Sequence, residues 1–219
     1  MPIFLLIRHG ETDFNKKSHL AGRLPNVHLT TRGQQQAQLL AEKLSRVPIN
    51  AIYASPLERT MNTAQPLAVA RNLAINPLDD LLETDCGDWQ GQSAKLLRRK
   101  KEWKLVQQHP SLFHFPLGES IAECQHRMVR AIESIRLRHQ PQDIVACFGH
   151  ADPIKQAVAY YIGLPLDNFQ RLAIDVGSIT ILQVIENGSR LLALNYNPAF
   201  AWEVLLPPMP KKRRKRPAA

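Results

Sequence analysis

Residues 3–15 read I-F-L-L-I-R-H-G-E-T-D-F-N: an uncharged apolar run that breaks abruptly into Arg8, His9 and Gly10. The run is too short to cross a membrane, but it fits a strand buried on both faces of a parallel sheet. Gly10 then lets the chain turn where a side chain would obstruct it. Arg8 and His9 are therefore expected at the carboxyl end of a core strand, where open α/β sheets bind their ligands. A cation beside an imidazole at such a place points to phosphate chemistry. A surface turn carrying two chance basic residues is the competing explanation, and the triplet by itself does not decide between them.

Length and composition narrow the class. A chain of 219 residues with 44% hydrophobic content suits one packed α/β domain. No segment approaches the roughly 20 apolar residues of a spanning helix. The first residues show neither a basic leader nor a cleavage signature, which disfavours secretion. The three cysteines, Cys86, Cys124 and Cys147, have no metal-type spacing, and their odd number argues against a disulfide framework. A reducing cytoplasm is the expected setting. The net charge of +9 invites a nucleic-acid reading, but six of the charges are Lys211, Lys212, Arg213, Arg214, Lys215 and Arg216. Setting these six aside leaves +3, so the basicity belongs to the tail rather than to the body.

Along the chain, a polar loop from Phe14 to His28 precedes a helix that Thr31 can cap, with Gln34 in the capping-box position. Ala37, Leu40, Ala41 and Leu44 fall on its one apolar face. Ala51–Ala54 is a short strand leading into S-P-L-E-R-T, where Ser55 is the expected N-cap and Arg59 lies in the first helical turn. The amides and dipole of that turn favour an anion. Ala74–Leu82 is expected to be extended, ending in the glycine-bearing loop around Trp89. Residues 93–116 read as a helical insertion and a loop, carrying the basic cluster Arg98, Arg99, Lys100, Lys101 and Lys104. Ser120 caps a long helix with Glu123 closing its box, and Ile121, Cys124, Met128, Ala131, Ile132 and Ile135 form its buried stripe. Asp143–Phe148 is a second core strand that also ends on glycine and histidine, Gly149 and His150. A helix starting at Asp152 and Pro153 follows and stops at Gly163. Ser178–Ile185 and Arg190–Asn195 form a hairpin around Asn187-Gly188. The division expected is a domain over 1–206 and a disordered basic tail over 207–219.

The candidates for chemistry are Arg8, His9, Arg59, Glu83 and His150, each just after a strand or at a helix start. Here the sequence resembles the histidine phosphatase superfamily, in its phosphoglycerate-mutase-like branch. The resemblance rests on R-H-G-E-T with Asn15 beyond it, S-P-L-E-R-T-x-x-T-A around Arg59 and L-x-E-x-x-x-G-x-W-x-G around Glu83. P-x-G-E-S at Pro116–Ser120 and G-H-A at His150 complete it. The motifs occur in the family's order from about Ile3 to Asn195. The fold implied is a three-layer α/β/α sandwich with a mostly parallel central sheet, the insertion lying over the rim of the site.

The resemblance implies that His9 is the nucleophile and forms a phosphohistidine. A neutral imidazole has a lone pair available near neutral pH, and a labile N–P bond splits one hard displacement into two easier ones. Arg8 and Arg59 suit the phosphate, because guanidinium forks match its oxygens and stay charged. His150 carries over as the second pocket histidine, donating to a non-bridging oxygen. Its bland alternative is a capping or core histidine. The family usually has glycine after this histidine, whereas here Ala151 supplies the backbone N–H. Glu83 carries over as the general acid, which demands a pKa near the working pH and hence a carboxyl close to the phosphate charge and partly shielded from solvent. Asp85 and Asp88 are nearby alternatives that a solvated loop face explains better. Asn15 and Gly22 are expected to line the phosphate pocket through a side-chain amide and a backbone N–H. No metal and no cofactor is called for. The other histidines (His19, His28, His109, His114, His126 and His139) read as surface residues.

Mutases of the family carry a longer insertion after the Glu83 motif with an E-R-x-Y pattern, which this chain lacks. A phosphatase acting on a small phosphorylated metabolite is therefore expected, with a phosphoglycerate-type mutase as the alternative. From another class, a low-turnover binding module could be tethered to an acidic partner by residues 211–216, the one place where nucleic acid enters the reading. The basic cluster at 98–104 could select an acidic substrate, but a solvated helix face explains it as well. Oligomeric state is left open, a homodimer included.

Overall fold

The apolar run becomes β1 (Ile3–Arg8), and alternation along it assigns its side chains to two cores. In the computed structural model, which describes residues 2–185 and 187–197, Phe4 and Leu6 enter one buried cluster while Leu5 and Ile7 enter another. The first cluster is closed by α6 (Ile121–Arg136) and α7 (Ala151–Tyr161), the second by α2 (Thr31–Leu44) and α3 (Glu58–Arg71). Helices thus cover both faces of one sheet, which is the three-layer architecture the sequence implies. The expected boundary at 206 and the basic tail lie outside the described residues.

The sheet holds β2 (Ile49–Ala54), β3 (Ile75–Pro77), β4 (Ile144–Gly149), β5 (Ile179–Ile185) and β6 (Gly188–Tyr196) besides β1, in the order β3-β2-β4-β1-β5-β6. The β1–β4, β2–β4 and β2–β3 pairs are parallel, while β5 runs antiparallel to both its neighbours. Register brings three strand ends to one level. Arg8 pairs with Gly149 and Ala54 with Phe148. The next residues of the three strands, His9, His150 and Ser55, emerge side by side at the carboxyl edge.

Gly10 matters for close approach rather than for an unusual dihedral. A Cβ there would fall onto the carbonyl oxygen of Gly33, so the first turn of α2 could not pack against the loop after β1. Short helices α1 (Asp13–Lys16), α4 (Ala94–Leu97) and α5 (Glu102–Gln108) complete the set. The insertion is helical as expected, and its own small core includes Trp89, Leu97, Phe113 and Phe115. Trp103 stacks on Trp89 with ring centroids 6.2 Å apart. Its basic residues, Arg98 to Lys101 and Lys104, are exposed.

Several local expectations are corrected. The cap of α2 is Thr30, whose side chain accepts from Gly33 N–H, not Thr31. Extended structure between Ala74 and Leu82 is confined to β3, after which Asp79–Leu81 forms a 3-10 turn. The second strand of the last hairpin starts at Gly188, which pairs with Ile185, rather than at Arg190. His139 is not a surface residue: it bridges Tyr53 Oη at 3.1 Å and Asp143 Oδ2 at 3.1 Å. The capping box of Ser120 and Glu123 and the whole apolar stripe of α6 stand as read. Among the described residues no helix is long and apolar enough to cross a membrane.

Candidate active site

His9 leaves β1 almost fully buried, and its Nδ1 lies 2.7 Å from the carbonyl oxygen of Gly10. A carbonyl can only accept, so Nδ1 carries the ring proton and the lone pair resides on Nε2. Burial, with the charges of Arg59 and Arg8 behind it, holds the His9 pKa well below its ordinary value of 6.5. The ring is therefore a neutral base with one free nitrogen. Thr63 fixes the loop from below, its hydroxyl accepting from Gly10 N–H at 3.0 Å and donating to Arg59 O at 2.6 Å.

His150 ends β4 and forms the N-cap of α7. Its ring meets that of His9 at 5.3 Å between centroids. Nε2 is 2.9 Å from Ser55 Oγ, and Nδ1 is 3.3 Å from Nη2 of Arg59. Ala151 begins α7 with an ordinary helical backbone, so the turn does not demand the glycine usual after this histidine.

Arg59 is the largest fully buried side chain of the described residues. It spends Nη2 on Gly22 O at 2.7 Å, while Nε and Nη1 have no partner. Arg8 donates from Nη1 to Ile174 O at 2.7 Å, and its Nε is likewise unmatched. Two desolvated guanidiniums with unmatched donors are costly unless an anion completes them. The structure thus brings Gly22 to the site through its carbonyl, bonded to Arg59. Asn15 uses its side-chain oxygen to receive Thr12 N–H at 2.9 Å and so fixes α1.

Glu83 lies in the loop after β3, its Oε2 3.8 Å from Nδ1 of His150, with 19% of its side chain exposed. Burial and the neighbouring charge of Asp152 push its pKa up to about 7, against the restraining effect of Arg59, the Thr84 N–H and Arg8. The backbone carrying it is clamped. Arg23 Nε donates to Glu83 O at 2.8 Å, and Arg127 Nη1 donates to Asp80 O and Leu82 O at 2.8 and 2.9 Å. Glu119 joins the two arginines, with Oε1 3.1 Å from Arg23 and 2.7 Å from Arg127. Beside Arg8, a cavity of about 490 Å³ is lined by Asn15, Leu20, Leu97, Trp103 and Asp175 among others.

The five chemistry candidates therefore converge, and Asn15, Gly22 and Ala151 lie around them. Sequence reasoning missed Ser55, Glu119 and Arg127. Ser55 was expected to cap α3, but that helix begins at Glu58 behind Leu57, which makes no side-chain cap bond. For Glu119 a signal existed, since it sits inside the P-x-G-E-S motif. Among the described residues no cluster of three or more metal-ligating side chains occurs.

Residues 4–197 match the family model of the histidine phosphatase superfamily, branch 1. The chain belongs to that superfamily. Phosphoserine phosphatase 1 of Hydrogenobacter thermophilus is 32% identical to this histidine phosphatase over 193 residues, covering 87% of this chain and 90% of the relative. A 2,3-bisphosphoglycerate-dependent phosphoglycerate mutase of Thermoplasma acidophilum is 29% identical over 193 residues, covering 84% and 88%. Among solved structures, Bacillus stearothermophilus YhfR superposes with a TM-score of 0.83 at 28% identity, covering 90% of this chain and 98% of that one. The sandwich and its mostly parallel sheet are those of the phosphoglycerate-mutase-like histidine phosphatases.

Proposed function

We propose that this histidine phosphatase hydrolyses small phosphomonoesters, without a metal, through a phosphohistidine formed at Nε2 of His9. The observation that carries the reading is the bond from Nδ1 of His9 to Gly10 O. It leaves the lone pair on the other nitrogen of an imidazole that burial and two guanidiniums keep neutral.

Arg8 and Arg59 offer their unmatched N–H groups to the phosphate, with the Asn15 amide and the first N–H of α7, at Ala151, as further donors. Nε2 of His9 attacks phosphorus as the P–O bond to the leaving group breaks. Glu83, protonated near neutral pH, gives its proton to the leaving oxygen. The resulting carboxylate takes a proton from water, the hydroxide attacks phosphorus, and the N–P bond breaks to release inorganic phosphate and restore His9. Fixed guanidinium charge supplies the stabilisation that a divalent ion gives elsewhere. The cavity beside Arg8 would hold the leaving group. Exposed residues on its wall, Ser18, Arg32 and Asp175, support access for water and hence hydrolysis over phosphoryl return.

The test is turnover of p-nitrophenyl phosphate and of a panel of phosphorylated metabolites, phosphoserine and phosphoglycerate included, in the presence of EDTA. Hydrolysis is expected to continue under chelation and to survive deletion of residues 207–219. Phosphoryl transfer between two hydroxyls of one substrate without release of phosphate would favour the mutase instead.

A further inference from the structure

Ser55 is wholly buried at the end of β2, and its hydroxyl has one described partner, Nε2 of His150 at 2.9 Å. Its backbone is occupied elsewhere, with N–H donating to Phe148 O at 2.9 Å and the carbonyl accepting from Thr60 Oγ1 at 2.8 Å. The other ring nitrogen, Nδ1, lies 3.3 Å from Arg59 Nη2. A guanidinium can only donate, so Nδ1 holds a lone pair and the ring proton is on Nε2, directed at Ser55 Oγ. Nδ1 is also the nitrogen turned towards the reactive groups, since Glu83 Oε2 is 3.8 Å from it. A phosphoryl oxygen entering beside Arg59 therefore meets a lone pair, not a donor.

We infer that Ser55 is a positioning residue that fixes His150 in the Nε2–H form, so that Nδ1 takes the proton of an incoming phosphate monoanion. In that step the O–H bond of the monoanion breaks and an N–H bond forms at Nδ1. A neutral ring and a monoanion become an imidazolium and a dianion, with the total charge unchanged. Both ring protons then have acceptors, Ser55 Oγ behind and a non-bridging oxygen in front. The groups facing the ring are Arg59 from α3, Arg8 and His9 from the end of β1, Glu83 from its loop and Arg127 from α6. Burial first, and then the positive charge of the three arginines, keeps the ring neutral until the anion arrives. This inference rests on the phosphatase reading of the site, but its first test does not need turnover.

Selective 15N labelling of histidine reads both states. In the ligand-free enzyme the His150 nitrogens are expected to show the Nε2–H neutral form, and with inorganic phosphate or orthovanadate bound, the protonated form at both. Ser55→Ala should remove the preference for Nε2–H and lower kcat on p-nitrophenyl phosphate about 10- to 100-fold, with KM changed less than about threefold. Ser55→Thr should restore kcat to within a few-fold. A ligand-free wild type in the Nδ1–H form, a neutral ring with phosphate bound, or wild-type kcat in Ser55→Ala would each overturn the inference. If Ser55→Ala does not fold, the wild-type spectra and Ser55→Thr still decide. An enzyme that hydrolyses no phosphomonoester would instead sink the functional reading, leaving the ligand-free spectrum to judge Ser55 by itself.

Discussion

His9 and His150 meet edge to face, their ring planes inclined at 61° and their centroids 5.3 Å apart. Parallel pairing of β1 with β4 produces this meeting: Arg8 pairs with Gly149, and His9 N–H donates to Gly149 O at 3.1 Å. Each imidazole is presented by a strand end buried in the core, so neither ring depends on a flexible loop for its position. Substituting the first ring is then a clean test of its role. His9→Ala should lower kcat by about 10³-fold or more while leaving the fold intact. Rapid quenching of the wild type during turnover should trap an acid-labile, alkali-stable phosphoryl group on His9. Turnover near the wild-type rate in His9→Ala would remove the nucleophile assignment.

Glu83 is expected to set the alkaline limb of activity. It must be protonated to serve as the acid, and its carboxyl titrates at about 7, so kcat/KM should fall as pH rises through that value. Burial is the main cause and the charge of Asp152 the second. Asp152→Asn removes a negative neighbour, so the limb should move to lower pH by a few tenths of a unit to about one unit. In kcat/KM, which reports the step that expels the leaving group, Glu83→Gln should cost about 10²- to 10⁴-fold on an alkyl phosphate and far less on p-nitrophenyl phosphate, whose leaving group departs without a proton. A limb that stays in place in Asp152→Asn, or a Glu83→Gln loss in kcat/KM independent of the leaving group, would point to a different acid.

The sequence showed most clearly what is local or periodic. The strand-to-histidine pattern, the α6 stripe and the Ser120–Glu123 box all depend on neighbours within a turn or a strand, and each stands in the structure. Ser55 was misread for a physical reason. Ser-Pro before Glu has the composition of a helix start, and nothing near it in sequence reveals that parallel register would set its hydroxyl against a ring from β4. Glu119 lay inside a motif but its role did not show, and Arg127 gave no signal, since the carbonyls that the clamp holds lie 45 and 47 residues before Arg127 in the chain. His139 looked solvated because one of its contacts, Tyr53 in β2, lies 86 residues away in the chain and is not visible in the local sequence.

The same ionisations make stability depend on pH with opposing signs. His9 and His150 titrate in the folded chain well below their ordinary 6.5. Below about pH 6.5 the unfolded chain gains protons that the folded chain refuses. Each histidine therefore withdraws about 1.4 kcal/mol per pH unit as pH falls from 6.5 towards its folded pKa. Glu83 acts the other way between 4.5 and about 7, where the folded chain keeps a proton that the unfolded chain has lost, so acidification there adds stability at a similar slope. Between pH 6 and 5 the three leave a net loss of about one histidine's slope. Urea melts at those two pH values should show His9→Asn flattening this dependence and Glu83→Gln steepening it. Equal slopes in all three proteins would contradict the assigned shifts.

Glu119 is expected to govern activity without touching substrate. Burial alone would raise its carboxyl, but hydrogen bonding and charge from Arg127 outweigh it and hold the pKa below the usual range. The carboxylate accepts from Arg23, Arg127 and the Asp85 N–H, and the two arginines in turn hold the carbonyl of Glu83 and those of Asp80 and Leu82. Glu119→Gln keeps the shape but removes the charge that balances two half-buried guanidiniums. The expected cost is about 2 kcal/mol, below the roughly 3–5 kcal/mol of a fully buried pair, because 15% of the side chain still reaches solvent. Loosening the Glu83 backbone should also lower kcat about 10-fold, because a displaced acid loses alignment with the leaving oxygen. If the effect runs through Glu83, the Glu119→Gln loss should nearly vanish in a Glu83→Gln background, since an acid already removed cannot be misplaced. Full additivity of the two losses in kcat would show that the clamp serves stability alone.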